Sequence, residues 1–234
     1  MEKAFIAGMF DRIAWRYDFL NHFFSLHLDK IWRRKAVNEL RGQTLDEVLD
    51  VATGTADLAL TIHQILRPKH ITGIDISEGM LAVGRQKIKK KGLEAYITLI
   101  RGDSEAIPFD NHRFDAVTVA FGVRNFECLE KGLGEILRVL KPGGKAVILE
   151  FSIPQNRIFR SIFNIYFFRI LPFVGRWVSK DAHAYNYLPA SVQSFPHGAT
   201  FKDKMVNCGF SDVRIRRLTF GIASIYTGVF SFQL

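Results

Sequence analysis

The sequence is short of the features that would place it outside the cell or across a membrane. Cys128 and Cys208 are the two cysteines in 234 residues. They have no metal-ligand spacing and build no disulfide framework, which excludes a stapled secreted fold and suits ordinary thiols in a reducing cytoplasm. No run of roughly 18 uncharged apolar residues is present, so a membrane-spanning helix is not expected. The opening MEKAFIAGMFDRIAWRYD carries acids and no continuous apolar stretch, which argues against a secretory signal. Internal repeats and low-complexity segments are absent. Acids are also scarce in one region: from Phe151 onward there are 3 Asp+Glu against 10 Lys+Arg, whereas the first 150 residues hold 20 against 22. Most of the net charge of +9 therefore lies in the C-terminal part. Such asymmetry points to an anionic partner, a membrane or a nucleic acid, or to a soluble face that is merely basic.

What is present is enough for a full core: 48% of residues are hydrophobic and 24% charged, as in one globular domain elaborated at one end. Residues 47–52, 71–76, 95–103, 114–122 and 144–152 are β-branched and aromatic runs of strand character. Between them DLALTIHQIL, EGMLAVGRQKIKKKG and LEKGLGEILRVLKPGG have helical spacing, with Lys-rich ends before glycine as a helix C-terminus prefers. Strict alternation predicts an α/β fold with a mostly parallel sheet and helices on both faces. FKDKMVNCGF adds a helix, and the closing DVRIRRLTFGIASIYTGVFSF holds two strand-like runs, expected as an antiparallel hairpin at the sheet edge.

The ligand of such a sheet belongs outside the carboxyl ends of its strands, where strand order reverses. VLDVATGTAD (Val48–Asp57) runs from an apolar strand into Asp50 and a turn of small residues. Asp75, in GIDIS, follows about 20 residues later, where an acid can grip a ribose. Thr53, Thr55 and Asp57 stand where a dinucleotide loop needs glycine, and carboxylates here would repel a pyrophosphate. They favour the cationic end of S-adenosylmethionine. Asp103, followed by Ser104, ends the third strand and suits the adenine amino group. Asp50, Thr53, Gly54, Thr55, Asp75, Ile76, Asp103 and Ser104 are the candidate cofactor contacts, and no metal site is expected.

Several segments resemble one family. FGVRN (Phe121–Asn125), YDFLNHFFSLHLDKIWRR (Tyr17–Arg34), LEFSIP (Leu149–Pro154), YLPASVQSFP (Tyr187–Pro196) and GIASIYTG from Gly221 are similar to the signature segments of the demethylmenaquinone and polyprenyl-benzoquinol C-methyltransferases. These belong to the class I S-adenosylmethionine-dependent methyltransferases, with a Rossmann-like fold, and the likeness runs from about Phe10 to Gly228. The resemblance implies that Thr55, Asp75, Asp103 and Ser104 contact the cofactor. Two positions depart from the pattern: Ala56 replaces a glycine of the turn, and Ala120 a serine before Phe121. A methyl group at 56 calls for an ordinary backbone conformation there.

The implied reaction is methylation of a prenylated quinol, with demethylmenaquinol preferred to 2-polyprenyl-6-methoxy-1,4-benzoquinol. Carbon-carbon bond formation needs a nucleophilic ring, so the reduced acceptor is expected. In-line displacement at the sulfonium asks mostly for alignment and exclusion of water. Arg124 is a poor base; it is expected to stabilise a developing phenolate, or else to form a structural salt bridge across the sheet top, with Asn125 hydrogen-bonded to a ring oxygen. Asp18, His22, His183, His197, Tyr17, Tyr185 and Tyr187 are the candidates for removing the phenolic proton.

The chain divides into residues 1–45 as an N-terminal helical lid with Tyr17 facing the pocket, 46–152 as the cofactor core, 153–200 as a helical, lipid-facing insertion, and 201–234 as the last helix and strands. On the lid, Phe10, Ile13, Ala14, Tyr17 and Leu20 form one apolar face, opposite Asp11, Arg12, Arg16 and Asp18. Arg157–Lys180 is rich in Phe and Ile and imperfectly amphipathic. It reads as an interfacial anchor for a polyprenyl tail at the inner face of the membrane, as a cap packed on the protein, or as a homodimer interface. A nucleic-acid methyltransferase is the reading from another class; the aromatics lie in apolar runs rather than among polar base-reading residues, which counts against it.

Overall fold

A computed structural model describes residues 3–170 and 182–231. Its strands are β1 (Glu47–Val51), β2 (His70–Asp75), β3 (Ile97–Arg101), β4 (Phe114–Ala120), β5 (Leu140–Phe151), β6 (Ser211–Leu218) and β7 (Ala223–Val229). They form one seven-stranded sheet in the order β3-β2-β1-β4-β5-β7-β6. The five strands from β3 to β5 are parallel, and β7 is antiparallel to both β5 and β6. The final hairpin thus joins the sheet through its second strand, with β6 at the edge.

Side chains alternate between the two faces, and both are covered. Val48, Ile71, Ile97 and Ala116 pack against α2 (Leu28–Asn38), α3 (Asp57–Leu66) and α4 (Glu78–Lys90). Leu49, Val51, Ile74 and Val117 pack against α5 (Leu129–Val139) and α8 (Ala199–Asn207) on the other face. Burial on both faces is why these strands read as continuous apolar runs. Helix α4 follows its sequence cues: Ser77 accepts the Met80 N–H at its start, Glu78 sits in the first turn and Lys87, Lys89 and Lys90 in the last, complementing the helix dipole.

The helix expected to run through LKPGG instead ends at Val139, and Leu140 is already extended at φ −71°, ψ 137°. Pro142 supplies no backbone donor and disfavours a helical residue before it, so β5 starts there.

Over the carboxyl ends of the strands lie α1 (Lys3–Phe24), α6 (Arg157–Ile165) with its π-helical continuation Tyr166–Ile170, and α7 (Ala182–Ser194). A small apolar cluster of Leu20, Phe163, Phe167 and Val192 joins them, and the Tyr166 hydroxyl donates to Phe24 O at 2.6 Å. Phe163 and Phe167 are therefore packed on the protein, as a cap requires, while Ile158, Ile162 and Ile165 are exposed. Residues 171–180 of the proposed anchor, and the side chains of His183 and Tyr185, lie outside the described residues.

Candidate functional site

Strand order reverses between β1 and β4, and the loops leaving β1, β2, β3 and β4 converge there. The first turn leans on β2: Thr53 N–H donates to Ile74 O at 3.0 Å. A Cβ on Gly73 would stand 2.9 Å from the Thr53 side chain, so glycine in β2 is what admits this turn. Asp50 lies beneath, 1% exposed, accepting hydroxyl hydrogen bonds from Thr53 at 2.6 Å and Thr118 at 2.8 Å. Burial raises its pKa to about 6, against the opposing effect of those hydroxyls. The Thr55 hydroxyl donates to Asp18 at 2.5 Å. Asp50, Thr53 and Thr55 are thus engaged in hydrogen bonds of their own and do not line the cleft beside the turn.

Ala56 corrects an expectation. Its backbone is left-handed, φ 66° and ψ 20°, not ordinary. The turn geometry has outweighed the methyl group's preference, at a cost of about 1–2 kcal/mol.

The cleft proper is lined by Gly54, Asp75, Ile76, Asp103, Ser104 and Asn125, all anticipated, and by Met80 and Ala120. Asp75 accepts the Gly54 and Ser77 amides, both at 2.9 Å. Burial raises its pKa, with these amides and that of Ile76 opposing, and of about four acceptor sites the carboxylate keeps room for a ribose hydroxyl. Asp103 accepts the Glu105 amide at 2.9 Å and the Lys3 ammonium at 2.7 Å. Burial alone would raise Asp103, but Lys3 and the amide hold its carboxyl below the usual range. An acid at two successive strand ends and apolar Ile76 and Met80 for a base fit an adenosyl group.

The cleft is nevertheless tight, about 70 Å³, below the ~300–1,000 Å³ of ordinary ligand pockets. Helix α1 is what narrows it. Lys3 Nζ reaches Glu105 at 3.0 Å as well as Asp103. Asp11 Oδ1 accepts Ser77 Oγ at 2.6 Å and Gly79 N at 2.8 Å, and Asp18 pairs with Lys87 at 2.7 Å. Asp11 and Asp18, expected on a polar outer face, act as latches, Asp11 from an exposed position beside Arg12; Trp15, Phe19 and Phe23 share the exposed side.

Beyond Tyr17 lies a larger cavity of about 360 Å³, lined chiefly by apolar residues of α1, α2, α6 and β5. Phe10, Tyr17 and Phe121 line both spaces, so they mark where the two meet. Phe121 holds a left-handed φ of 58°, strain of the kind that collects at functional sites. Arg124 lines the larger cavity. Its Nη1 pairs with Glu150 Oε1 at 2.8 Å, and its Nε is buried without a partner among the described residues. Tyr187 Oη donates to Asn125 Oδ1 at 2.8 Å. Burial raises the pKa of Tyr17 and of Tyr187, with Arg124 opposing in each, so both are phenols at neutral pH and donate rather than abstract protons.

Of the remaining base candidates, Asp18 is bound to Lys87 and Thr55 outside the cavity. His197 lies in a separate groove with Arg160 and Arg169. His22 is coupled to the cavity wall through Asp29, at 2.8 Å. The sequence reading missed Asp29, Trp32 and Arg33, which line the cavity, and Lys3. Asp29, Trp32, Arg33, Ala36 and Val37 are the buried stripe of α2. Two charged residues at stripe positions were the available signal.

This sheet order, with acids at the β2 and β3 ends and a mostly apolar cavity beside them, defines a class I S-adenosylmethionine-dependent methyltransferase. A family model described as the ubiE/COQ5 methyltransferase family matches residues 1–230, and the chain belongs to that family. It is 49% identical over 222 residues to a demethylmenaquinone methyltransferase of Bacteroides fragilis, covering 95% of this chain and 91% of that one. It is 50% identical to a ubiquinone/menaquinone biosynthesis C-methyltransferase of Geobacter sulfurreducens, covering 95% and 87%. Among solved structures, a methyltransferase of Thermotoga maritima superposes with a TM-score of 0.65 at 16% identity, covering 95% of this chain and 98% of that one. That likeness speaks for the fold alone.

Proposed function

We propose that this protein transfers the methyl group of S-adenosylmethionine to a ring carbon of a polyprenylated naphthoquinol, converting demethylmenaquinol to menaquinol. The observation that carries this reading is the junction at Tyr17 and Phe121, where an apolar cavity with an unpaired Arg124 Nε opens onto the adenosyl cleft. The quinol ring enters with its hydroxyl toward Arg124. As the ring carbon attacks the sulfonium methyl, negative charge on the oxygen and positive charge on sulfur disappear together, a change favoured by apolar surroundings. Arg124 positions the ring oxygen by a hydrogen bond through the transfer, and Tyr17 and Asn125 hold the ring in line. The demethylmenaquinone methyltransferase relative supports the naphthoquinol as acceptor. Methyl transfer to a short-chain demethylmenaquinol and to the matching methoxy-benzoquinol tests the choice; preference for the benzoquinol would refute it.

The prenyl tail leaves through the cavity mouth. Leu26 and Ile162 line the cavity and are also exposed, at 75% and 58%. Around them Trp15, Phe19 and Phe23 on α1 and Ile158 and Ile165 on α6 form an apolar rim, flanked by Arg16, Arg157 and Arg160. This rim is assigned to the surface of an anionic bilayer, where apolar groups enter and basic groups meet head groups, rather than to a second copy of the chain. No helix of the described residues is long and apolar enough to cross a membrane. Co-sedimentation with anionic vesicles, weakened by Phe19→Ser with Ile162→Ser, is the expected result; equal recovery without vesicles would refute it.

A further inference from the structure

The mostly apolar cavity has Ser25, Asp29 and Arg33 in its wall, besides Tyr17, Asn21, Arg124 and Tyr187. Asp29 is 3% exposed. Its Oδ1 accepts Ser25 Oγ at 2.7 Å, and its Oδ2 is shared between His22 Nδ1 at 2.8 Å and the Arg33 guanidinium. Behind His22 the charges continue: Nε2 lies 3.8 Å from Asp57 Oδ2, Asp57 pairs with Lys87 at 2.5 Å, and Lys87 with Asp18 at 2.7 Å. His27 stacks on His22 at 5.6 Å. The cluster therefore runs from the cavity wall toward α4, with Arg33 and Lys87 as its built-in cations. A carboxylate this buried is costly unless it is paired and used, and none of the other base candidates with a described side chain is both in the cavity and ionised.

We infer that the Asp29–His22 pair accepts the proton of the acceptor hydroxyl during methyl transfer. This inference rests on the quinol reading above. The ring carbon supplies the electron pair of the new carbon-carbon bond, and the methyl-sulfur bond breaks with its pair leaving on S-adenosylhomocysteine. The hydroxyl O–H breaks as its electrons form the C=O of a dienone, and the proton passes to Asp29, steadied by His22. The ring C–H proton then leaves to water and the carbonyl oxygen recovers the proton from the pair, restoring the quinol with net release of one proton. A hydroxyl conjugated to a ring gaining positive character is a strong acid, so a carboxylate suffices as its acceptor. Burial would raise Asp29, but the Ser25 hydroxyl, Arg33 and His22 outweigh it and hold the carboxyl below its usual range, so it is ionised at neutral pH. Arg124, at the same cavity, is left the role of electrostatic donor.

The test is anaerobic steady-state methylation of reduced short-chain demethylmenaquinol by the wild-type protein, Asp29→Asn and His22→Gln from pH 6 to pH 9.5, with cofactor affinity measured alongside. Asp29→Asn is expected to lose about 10²–10⁴-fold in kcat, with KM and cofactor Kd within about threefold. Its rate should then climb with pH as the acceptor hydroxyl, pKa about 10, ionises in solution, a slope the wild type lacks. His22→Gln should lose about tenfold and displace the acid limb of the profile. Wild-type kcat in Asp29→Asn, or a loss that alkali does not restore while cofactor still binds, overturns the inference. Should Asp29→Asn fail to fold, His22→Gln decides, and an unchanged profile overturns it. A wild-type protein that binds cofactor but methylates no quinol overturns the reading itself, and the inference falls with it.

Discussion

Arg124 and Glu150 form an ion pair of 2.8 Å whose side chains are 5% and 0% exposed. Glu150 also accepts the Phe151 amide at 2.8 Å, so the glutamate is fixed by β5 and in turn fixes the guanidinium, leaving Nε unused. The pair is the structural salt bridge of one sequence-based expectation; the other, a donor to a developing phenolate, is what a substitution of Arg124 tests. Arg124→Lys keeps a charge for Glu150 and removes Nε. It is expected to lower kcat about 10²–10³-fold with cofactor affinity unchanged; wild-type turnover would show that Nε has no part.

Asp50 bears on stability through pH. Its folded pKa of about 6 lies above the ~3.9 of an unfolded aspartate. Below pH 4 both states hold the proton; between pH 4 and pH 6 the unfolded chain releases it first, so rising pH erodes stability by about 3 kcal/mol from this group. Asp50→Asn should therefore gain on the wild type by that order between pH 4 and pH 7 in urea denaturation. A difference independent of pH would contradict the assignment.

Ala56 carries left-handed strain while fully buried. Glycine there relieves about 1–2 kcal/mol, loses about 0.8 for the methyl and about 0.4–1 through the unfolded chain. Ala56→Gly is expected to leave stability nearly unchanged. Ala59→Gly, at the third residue of α3 with helical backbone and equally buried, should cost about 1–2 kcal/mol. Equal losses at the two positions would remove the strain argument.

Helix α1 is packed through Ile6, Met9, Ala14 and Leu20 and latched at its polar edge by Lys3, Asp11 and Asp18, contacts at partly exposed sites of the kind worth about 0.2–1 kcal/mol each. With a cleft of about 70 Å³ beneath it, cofactor entry is expected to shift α1 and to draw Lys3 from Asp103. Limited proteolysis within residues 3–24 should change rate on adding S-adenosylhomocysteine, and Asp11→Asn should speed cleavage without ligand. An N-terminal segment indifferent to both would mean that it is no lid.

The sheet and the cofactor acids were legible because they rest on local pattern: two-sided burial writes apolar runs, and strand-end acids stand out against them. The Ala56 turn was misjudged because propensity is a local preference, whereas the Thr53 and Asp50 contacts that impose the turn are tertiary. Asp11 and Asp18 looked like a solvated face for the same reason; only the packing of α1 on α4 shows their partners. Asp29 and Arg33 went unread because a charged pair inside an apolar stripe gains meaning once the cavity it faces is known.

In the proposed reaction a reduced ring attacks the methyl group. The most direct measurement is transfer of a labelled methyl from S-adenosylmethionine to short-chain demethylmenaquinone held oxidised or reduced, in otherwise identical anaerobic reactions. Labelled menaquinol from the reduced acceptor alone is the expected result. Equal labelling of both forms, or of neither while cofactor binds, would contradict it.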